Sequence, residues 1–251
     1  MAAESAHFWT PEWPLPQGVY SAISQRHGGY SLAPYQTLNL GDHVGDVPDT
    51  VTRNRLKLRE TLQLPVEPLW LRQVHGTQIV QIDSLPHVIS PPEADGVVAT
   101  VPGAVLAVLT ADCLPVLACS LDGQKIGAFH AGWRGLLDGI LEKGLAALAV
   151  PSEQVLIYLG PAIGPDAFEV GPELRAAFLA EDPGCAAAFK AGSGDRWLAD
   201  IYALARYRLQ RMGVFAIYGG GLCTFSNPDY FSYRRDGITG RMASLIWREN
   251  G

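Results

Sequence analysis

The chain alternates short apolar runs with longer segments in which apolar residues recur every three or four positions. Several of the short runs are almost wholly apolar, which is typical of strands covered on both faces. The predicted strands are Val19–Ser24, Pro68–Gln73, Gln78–Ile82, Gly96–Thr100, Val105–Thr110, Pro115–Ser120, Lys125–His130, Val155–Leu159, Val214–Tyr218 and Arg241–Trp247.

Helical periodicity lies between these runs. Leu136–Leu148 carries apolar residues at positions 136, 137, 140, 141, 145 and 148, which form a stripe along one helix face. The other predicted helices are Thr50–Leu62, Pro172–Leu179 and Leu198–Met212. This mixture predicts a single α/β domain over residues 1–251, with helices outside packed sheets and a surface loop at Val88–Asp95.

Composition narrows the classes of function. The 251 residues carry a net charge of −6 and give a pI near 5.5, so a broad basic face for nucleic acid is not expected. The N-terminal residues do not resemble a secretory signal, and no apolar run is long enough for a membrane span. We therefore expect a cytoplasmic protein whose four cysteines are free thiols.

Three stretches carry candidate chemistry at predicted strand ends. His75 lies in "RQVHG", Cys113 in "TADCLPV" and His130 in "AFHAGWRG". We expect the strands next to Cys113 and His130 to pair, which would bring both side chains to one end of a sheet. Three interpretations remain open: ordinary packing, a cysteine nucleophile with a histidine base, or a catalytic zinc site with three protein ligands and water in the fourth position.

The neighbours of these residues favour chemistry over packing. Asp112 places a carboxylate at the end of an otherwise apolar run, which is an unusual position for a packing residue. Gly132 and Gly135 allow close approach of the backbone, and Arg134 places a guanidinium near His130.

Seven stretches together resemble the bacterial laccase-domain proteins, also called the multicopper polyphenol oxidase-like family. They cover nearly the whole chain, and their combination is highly specific. They are "NLGDHVGD" (39–46), "LRQVHG" (71–76), "EADGVVAT" (93–100), "TADCLPVL" (110–117), "AFHAGWRG" (128–135), "LGPAIGPDAFEVG" (159–171) and "CTFSNPDYFSYRRDGITGRMASLIW" (223–247).

The resemblance implies a fold and an activity. It implies mixed β-sheets between outer helices, in α/β/β/α layers, and a catalytic zinc ion bound by His75, Cys113 and His130. Members of the family are described as purine nucleoside phosphorylases that cleave adenosine, inosine and methylthioadenosine with phosphate and also deaminate adenosine. The expected partners are therefore these nucleosides and phosphate, with the chain a monomer or a small homo-oligomer.

Further roles follow from what these reactions require. Deamination needs a carboxylate that moves protons, for which Asp112 and Glu169 are the candidates. Phosphorolysis needs an anion site, for which Arg134 near a predicted helix start is the best candidate and Arg26 and Arg235 are weaker ones. The predicted substrate-binding residues are Arg26, Asn39, His43 and Arg235.

Other functions remain as alternatives. The chain has six histidines and no His-x-His pair, too few ligands for a four-copper relay, although copper in the Cys/His₂ site is compatible with the order of metal affinities. A Cys113–His amidase that edits a peptidoglycan precursor is a second enzyme hypothesis. A zinc-stabilised scaffold is the non-enzyme hypothesis, and it would need His27 or His43 as a fourth ligand.

Overall fold

The apolar runs form two large β-sheets and one small sheet. The computed structural model describes residues 7–85 and 90–249. One sheet has four strands in the order β1-β2-β13-β5, another has six in the order β12-β8-β6-β7-β4-β3, and the small one has the order β10-β11-β9. The strands are β1 (Phe8–Trp9), β2 (Val19–Ser24), β3 (Ile79–Ile82), β4 (Gly96–Ala99), β5 (Val105–Thr110), β6 (Leu114–Ser120), β7 (Ile126–Ala131), β8 (Val155–Leu159), β9 (Glu169–Val170), β10 (Phe189–Ala191), β11 (Trp197–Ala199), β12 (Ile217–Gly219) and β13 (Met242–Arg248).

The helices cover the outer faces of the two large sheets. Leu58 of the first helix belongs to one apolar cluster with Ala107 and Leu245 of the four-stranded sheet, while the third, fourth and fifth helices share a cluster with the six-stranded sheet. The helices are α1 (Pro48–Thr61), α2 (Trp133–Leu137), α3 (Ile140–Leu148), α4 (Pro172–Glu181), α5 (Ile201–Arg211) and α6 (Tyr233–Asp236).

A third apolar core lies between the two large sheets. Side chains alternate along each strand, so Leu106 and Ile246 of the four-stranded sheet meet Leu117, Ile126 and other residues of the six-stranded sheet. The order of layers is therefore helix, sheet, sheet, helix. The α/β/β/α prediction is confirmed.

Four predicted elements differ clearly from the structure. The strand predicted over Val214–Tyr218 begins only at Ile217 and ends at Gly219. Leu136–Leu148 is broken at Gly139, whose φ of 92° interrupts the helix between α2 and α3. Pro68–Gln73 is an irregular segment with isolated bridges at Leu69 and Arg72 rather than a strand. The helix predicted from Leu198 begins at Ile201, because Asp200 caps it and the three residues before Asp200 form β11.

The predicted surface loop Val88–Asp95 is described only in part. Its first two residues lie outside the described part of the chain, and the remainder has one bridge, from Glu93 to Arg72. Within residues 7–85 and 90–249, none of the helices combines the length and the apolar character that crossing a bilayer requires.

Candidate metal centre

The hairpin of β6 and β7 brings Cys113 and His130 together. The strands pair antiparallel, with Pro115 opposite His130, and Cys113 immediately precedes β6. Both side chains therefore lie at the same end of the six-stranded sheet, as expected from the sequence.

His75 reaches the same place from an irregular turn. Its φ of 61° is in the left-handed region, which is uncommon for a residue with a side chain. Gln73, two residues earlier, anchors the segment: its amide donates to the carbonyl of Leu109 at 2.8 Å and accepts the Leu109 N–H at 2.7 Å. The Gln73 side chain therefore makes the two hydrogen bonds that a neighbouring strand would otherwise make with Leu109 of β5.

Asp95 is the second anchor and is fully buried. Its carboxylate accepts the backbone N–H groups of Val74, His75 and Gly76 at 3.1, 2.9 and 2.7 Å, and it bonds Nδ1 of His130 at 2.8 Å. Burial opposes ionisation of Asp95, but the hydrogen bond and charge of His130 and the amide donors outweigh it, so its pKa lies below the usual value.

The three candidate ligands form a compact cluster, which we call the metal cluster. One ligand atom from each of His75, Cys113 and His130 lies within 4.8 Å of the other two, and Cys113 Sγ is 3.9 Å from His75 Nε2. A Cβ on Gly132 would lie 3.1 Å from both Cys113 Sγ and His75 Cδ2, so glycine leaves room for the cluster. His130 is buried and His75 is exposed, which leaves one side of the cluster open.

The electrostatics suit a thiolate ligand. Burial disfavours ionisation of Cys113, but the charges and hydrogen bonds of His130 and His75 prevail and lower the pKa of the thiol to about 6. Burial disfavours the charged form of His130, but the charges and hydrogen bonds of Cys113 and Asp95 prevail and raise its pKa to about 9. One thiolate and two imidazoles with an open side are a donor set that could hold a transition-metal ion.

A cavity of about 320 Å³ opens beside the metal cluster, and we call it the cluster cavity. Its apolar wall includes Leu109, Ala111, Ile163 and Phe168, and its polar wall adds several side chains to the cluster. These are His43, Gln73, Asp112, Tyr233, Arg234 and Arg241.

Of the two carboxylates predicted to move protons, the cavity is lined by Asp112 only. Asp112 is 9 % exposed and its oxygens accept from the Thr224 hydroxyl and the Arg234 N–H, both at 2.6 Å. Glu169 lies exposed on β9 and is not among the lining residues in the described ranges.

The arginines predicted from the sequence lie elsewhere. Arg134 is exposed and stacks on Trp133 at 4.4 Å, and Arg26 bonds the Gln36 carbonyl and pairs with Asp236. Arg235 holds a loop by donating to the carbonyl groups of Thr224, Phe225, Asn227 and Tyr230. Their guanidinium groups are engaged outside the cluster cavity, as far as its described lining shows.

Two other arginines line the cavity instead, and sequence reasoning missed both. Nη1 of Arg241 donates to the carbonyls of Thr239 and Gly240, and Nη1 of Arg234 donates to the Glu169 carbonyl at 2.9 Å. Burial lowers the pKa of Arg241, while the nearby negative groups act against that change. The adjacent arginines of "SYRRD" were a signal, but the sequence does not show which of the two faces the cavity.

The remaining predicted residues divide in the same way. His43 lines the cavity, and burial followed by the charge of Arg241 holds its pKa below the usual value. Asn39 is fully buried: its Oδ1 accepts the N–H groups of Gly41 and Arg241, and its amide donates to Asp46. Asn39 therefore holds the backbone of Arg241 in place and is not among the described residues that line the cavity.

Solved structures of similar fold cover almost the whole chain. Protein NMB0706 of Neisseria meningitidis superposes with a TM-score of 0.92 at 47% identity, covering 97% of this chain and 100% of that one. YlmD of Geobacillus stearothermophilus superposes with a TM-score of 0.85 at 29% identity, covering 93% of each chain.

Relatives of similar sequence carry a functional name. The purine nucleoside phosphorylase YfiH of Escherichia coli (strain K12) is 52% identical over 238 residues, 94% of this chain and 97% of that protein. A purine nucleoside phosphorylase of Xylella fastidiosa (strain Temecula1) is 50% identical over 246 residues, 94% of this chain and 95% of that protein. A family model described as multi-copper polyphenol oxidoreductase laccase matches residues 20–249, and the chain belongs to that family.

Proposed function

We propose that the protein is a zinc-dependent purine nucleoside phosphorylase that cleaves adenosine, inosine and methylthioadenosine and also deaminates adenosine. The observation that carries the proposal is the shared lining of one cavity by the metal cluster and by Arg234 and Arg241. The names of relatives about half identical to this chain support the same class of enzyme.

Arg241 and Arg234 are the proposed phosphate-binding residues. Arginine donates to phosphate oxygens in a fixed planar geometry, and a cavity wall screens the charge less than open solvent does. In phosphorolysis the glycosidic C–N bond breaks and a phosphate oxygen forms the new bond to the ribose carbon. Guanidinium groups next to the cavity would hold the phosphate for that exchange.

Zinc fits the donor set better than a hard cation does, because thiolate and imidazole are its common ligands. When bound with an open position, zinc polarises a substrate or lowers the pKa of water toward 7. Asp112, beside Cys113 in the cavity lining, is the proposed proton carrier for release of ammonia. The hydrogen bonds from Thr224 and from the Arg234 N–H keep that carboxylate in place.

The apolar wall is the proposed purine subsite. A volume of about 320 Å³ with apolar residues and a few polar groups is typical of a small-molecule site. Phe168 offers an aromatic face at this wall and Tyr233 is exposed at its rim. His43 adds a hydrogen-bonding group to the same lining.

The direct test incubates the zinc-loaded protein with adenosine, with and without phosphate, and quantifies adenine, ribose 1-phosphate and inosine by chromatography. Adenine and ribose 1-phosphate should appear only with phosphate, and inosine should appear in both mixtures. His75→Ala should abolish all three products. His27→Ala, an exposed histidine that pairs with Asp229, is the matched control and should retain them.

Failure of the wild-type protein to form any product while it contains stoichiometric zinc would refute the proposed activity. Adenine formed equally without phosphate would replace phosphorolysis by hydrolysis. Product formation by His75→Ala at the wild-type rate would remove the metal cluster from the reaction.

The lowered pKa of the Cys113 thiol favours a second candidate, a cysteine amidase. Chelation separates the two hypotheses: a zinc enzyme loses activity when the metal is removed, whereas a cysteine hydrolase retains it. A four-copper oxidase gains no such support, because His75, Cys113 and His130 form the one candidate metal group within the described residues.

A further inference from the structure

The carboxylate of Asp95 contacts both the turn that carries His75 and the ring of His130. We propose that Asp95 is a positioning residue that orients His75 and His130 together, so that metal affinity depends on this one carboxylate. The inference rests on the metal site of the proposed function, but it does not depend on which substrate the protein takes.

The first contact fixes the turn that carries His75. Three successive N–H groups, from Val74, His75 and Gly76, point at the Asp95 carboxylate, and the segment gains little from strand pairing. A turn held at φ 61° by side-chain acceptors loses its geometry when the acceptor is removed. The position of the His75 ring therefore follows from Asp95.

The second contact fixes the ring of His130. Oδ1 of Asp95 lies 2.8 Å from Nδ1 of His130, which places the proton on Nδ1 and leaves Nε2 for the metal cluster. The backbone adds another bond between the same residues, since the N–H of His130 donates to the Asp95 carbonyl at 2.7 Å. Strand β4 begins at the next residue, Gly96, and pairs with β7, so this geometry is built into the sheet.

The distribution of donors explains why an amide cannot replace the carboxylate. Oδ1 accepts from His75 N–H and from His130 Nδ1, while Oδ2 accepts from Val74 N–H and Gly76 N–H. In Asp95→Asn the amide NH₂ must face one of these pairs of donors. It either opposes the two backbone N–H groups or forces His130 to carry its proton on Nε2, where it blocks the ligand position.

The test compares Asp95→Asn with Glu93→Gln in the full-length protein. Glu93 is the matched control, because it is an exposed carboxylate two residues away that pairs with Arg72 of the same segment. Zinc affinity is measured by competition with a chromophoric chelator. Asp95→Asn should bind zinc about 10- to 100-fold more weakly, the usual effect of removing a hydrogen-bond partner of a ligand, and Glu93→Gln should match the wild type.

A spectroscopic readout separates orientation from stability. In ¹⁵N-labelled, zinc-loaded wild-type protein, His130 should show a protonated Nδ1 and a metal-bound Nε2. Thermal unfolding of each variant by circular dichroism reports how much of the protein is folded. A loss of stability with unchanged zinc affinity of the folded Asp95→Asn protein would reduce Asp95 to a purely structural residue and overturn the inference.

Each remaining outcome supports or overturns either the role of Asp95 or the proposed activity. If Asp95→Asn does not fold, the wild-type spectrum decides alone, and an unprotonated Nδ1 in His130 would overturn the inference. Wild-type protein that binds zinc in an Asp95-dependent way but cleaves no nucleoside would leave the inference standing and refute the proposed activity. Wild-type protein that binds no zinc would overturn both.

Discussion

Two cavities of equal volume differ in whether the arginines that line them already form ion pairs. The cluster cavity and a second one between α3, α4 and α5, the helical cavity, each measure about 320 Å³. The residues that line the helical cavity are Glu142, Phe178, Glu181, Asp182, Cys185, Leu204, Tyr207, Arg208, Arg211 and Met212.

In the helical cavity the charged groups largely satisfy one another. Arg208 Nε donates to Glu142 Oε1 at 2.7 Å, and Arg211 pairs with Asp182. In the cluster cavity, by contrast, the guanidinium groups of Arg234 and Arg241 donate to neutral backbone carbonyls and form no ion pair among the described residues, although the charges of Cys113 and Asp112 act on Arg241. Equal volume therefore does not mean equal function, and the cavity whose arginines stand outside ion pairs, beside the metal cluster, is the one that we propose for substrate.

The largest effect should come from one substitution made in both cavities. Cys113→Ser replaces a proposed metal ligand, and because a bound metal ion contributes several kcal/mol of transition-state stabilisation, phosphorolysis should fall at least about 1,000-fold. Cys185→Ser is the matched control, since its Sγ bonds the Asp182 carbonyl, a contact that a serine hydroxyl can keep. Zinc content and initial rates check the pair, and equal losses in both variants would erase the distinction between the cavities.

An intermediate effect should come from the arginines. Arg241→Ala should raise the KM for phosphate about 10- to 100-fold, the range expected for one charge-assisted hydrogen bond, and should leave deamination without phosphate nearly unchanged. Arg208→Ala, in the helical cavity, should leave that KM at the wild-type value while lowering thermal stability. Steady-state kinetics at varied phosphate measures both. A phosphate KM that depends on Arg208 and not on Arg241 would reverse the assignment.

The smallest effect should come from Glu142→Gln. This carboxylate is partly exposed, so loss of its ion pair with Arg208 is worth less than about 1 kcal/mol. Its Oε2 is buried without a hydrogen-bond partner in the described ranges, and the neutral amide costs less to bury, which offsets part of that loss. The midpoint of thermal unfolding should move by less than about 4 °C. An altered KM for adenosine would show that the helical cavity takes part in catalysis.

The bounds of several strands followed from patterns that local chemistry controls, whereas the layer order was implied by the resemblance to the laccase-domain family. Val105–Thr110 and Val155–Leu159 have the bounds predicted from their apolar runs, because a strand buried on both faces must be apolar throughout. The prediction of one helix over Leu136–Leu148 was wrong at Gly139, where the apolar stripe continues but the helical conformation of the backbone is interrupted. The strand predicted over Pro68–Gln73 was wrong because the side chain of Gln73, and not a paired backbone, makes the hydrogen bonds to Leu109 at the sheet edge. The pattern of apolar and polar residues does not encode such a contact.

The sequence by itself determined the layered fold class and singled out His75, Cys113 and His130. Cysteine and histidine are few in this chain and are among the side chains that best suit a transition metal, so residue type limited the number of candidate metal ligands. Only the tertiary structure decided that Arg241 and Arg234 line the cavity while Arg134 stacks on its neighbour. The physical reason is that every arginine carries the same charge, and its role depends on which groups the folded backbone places around it.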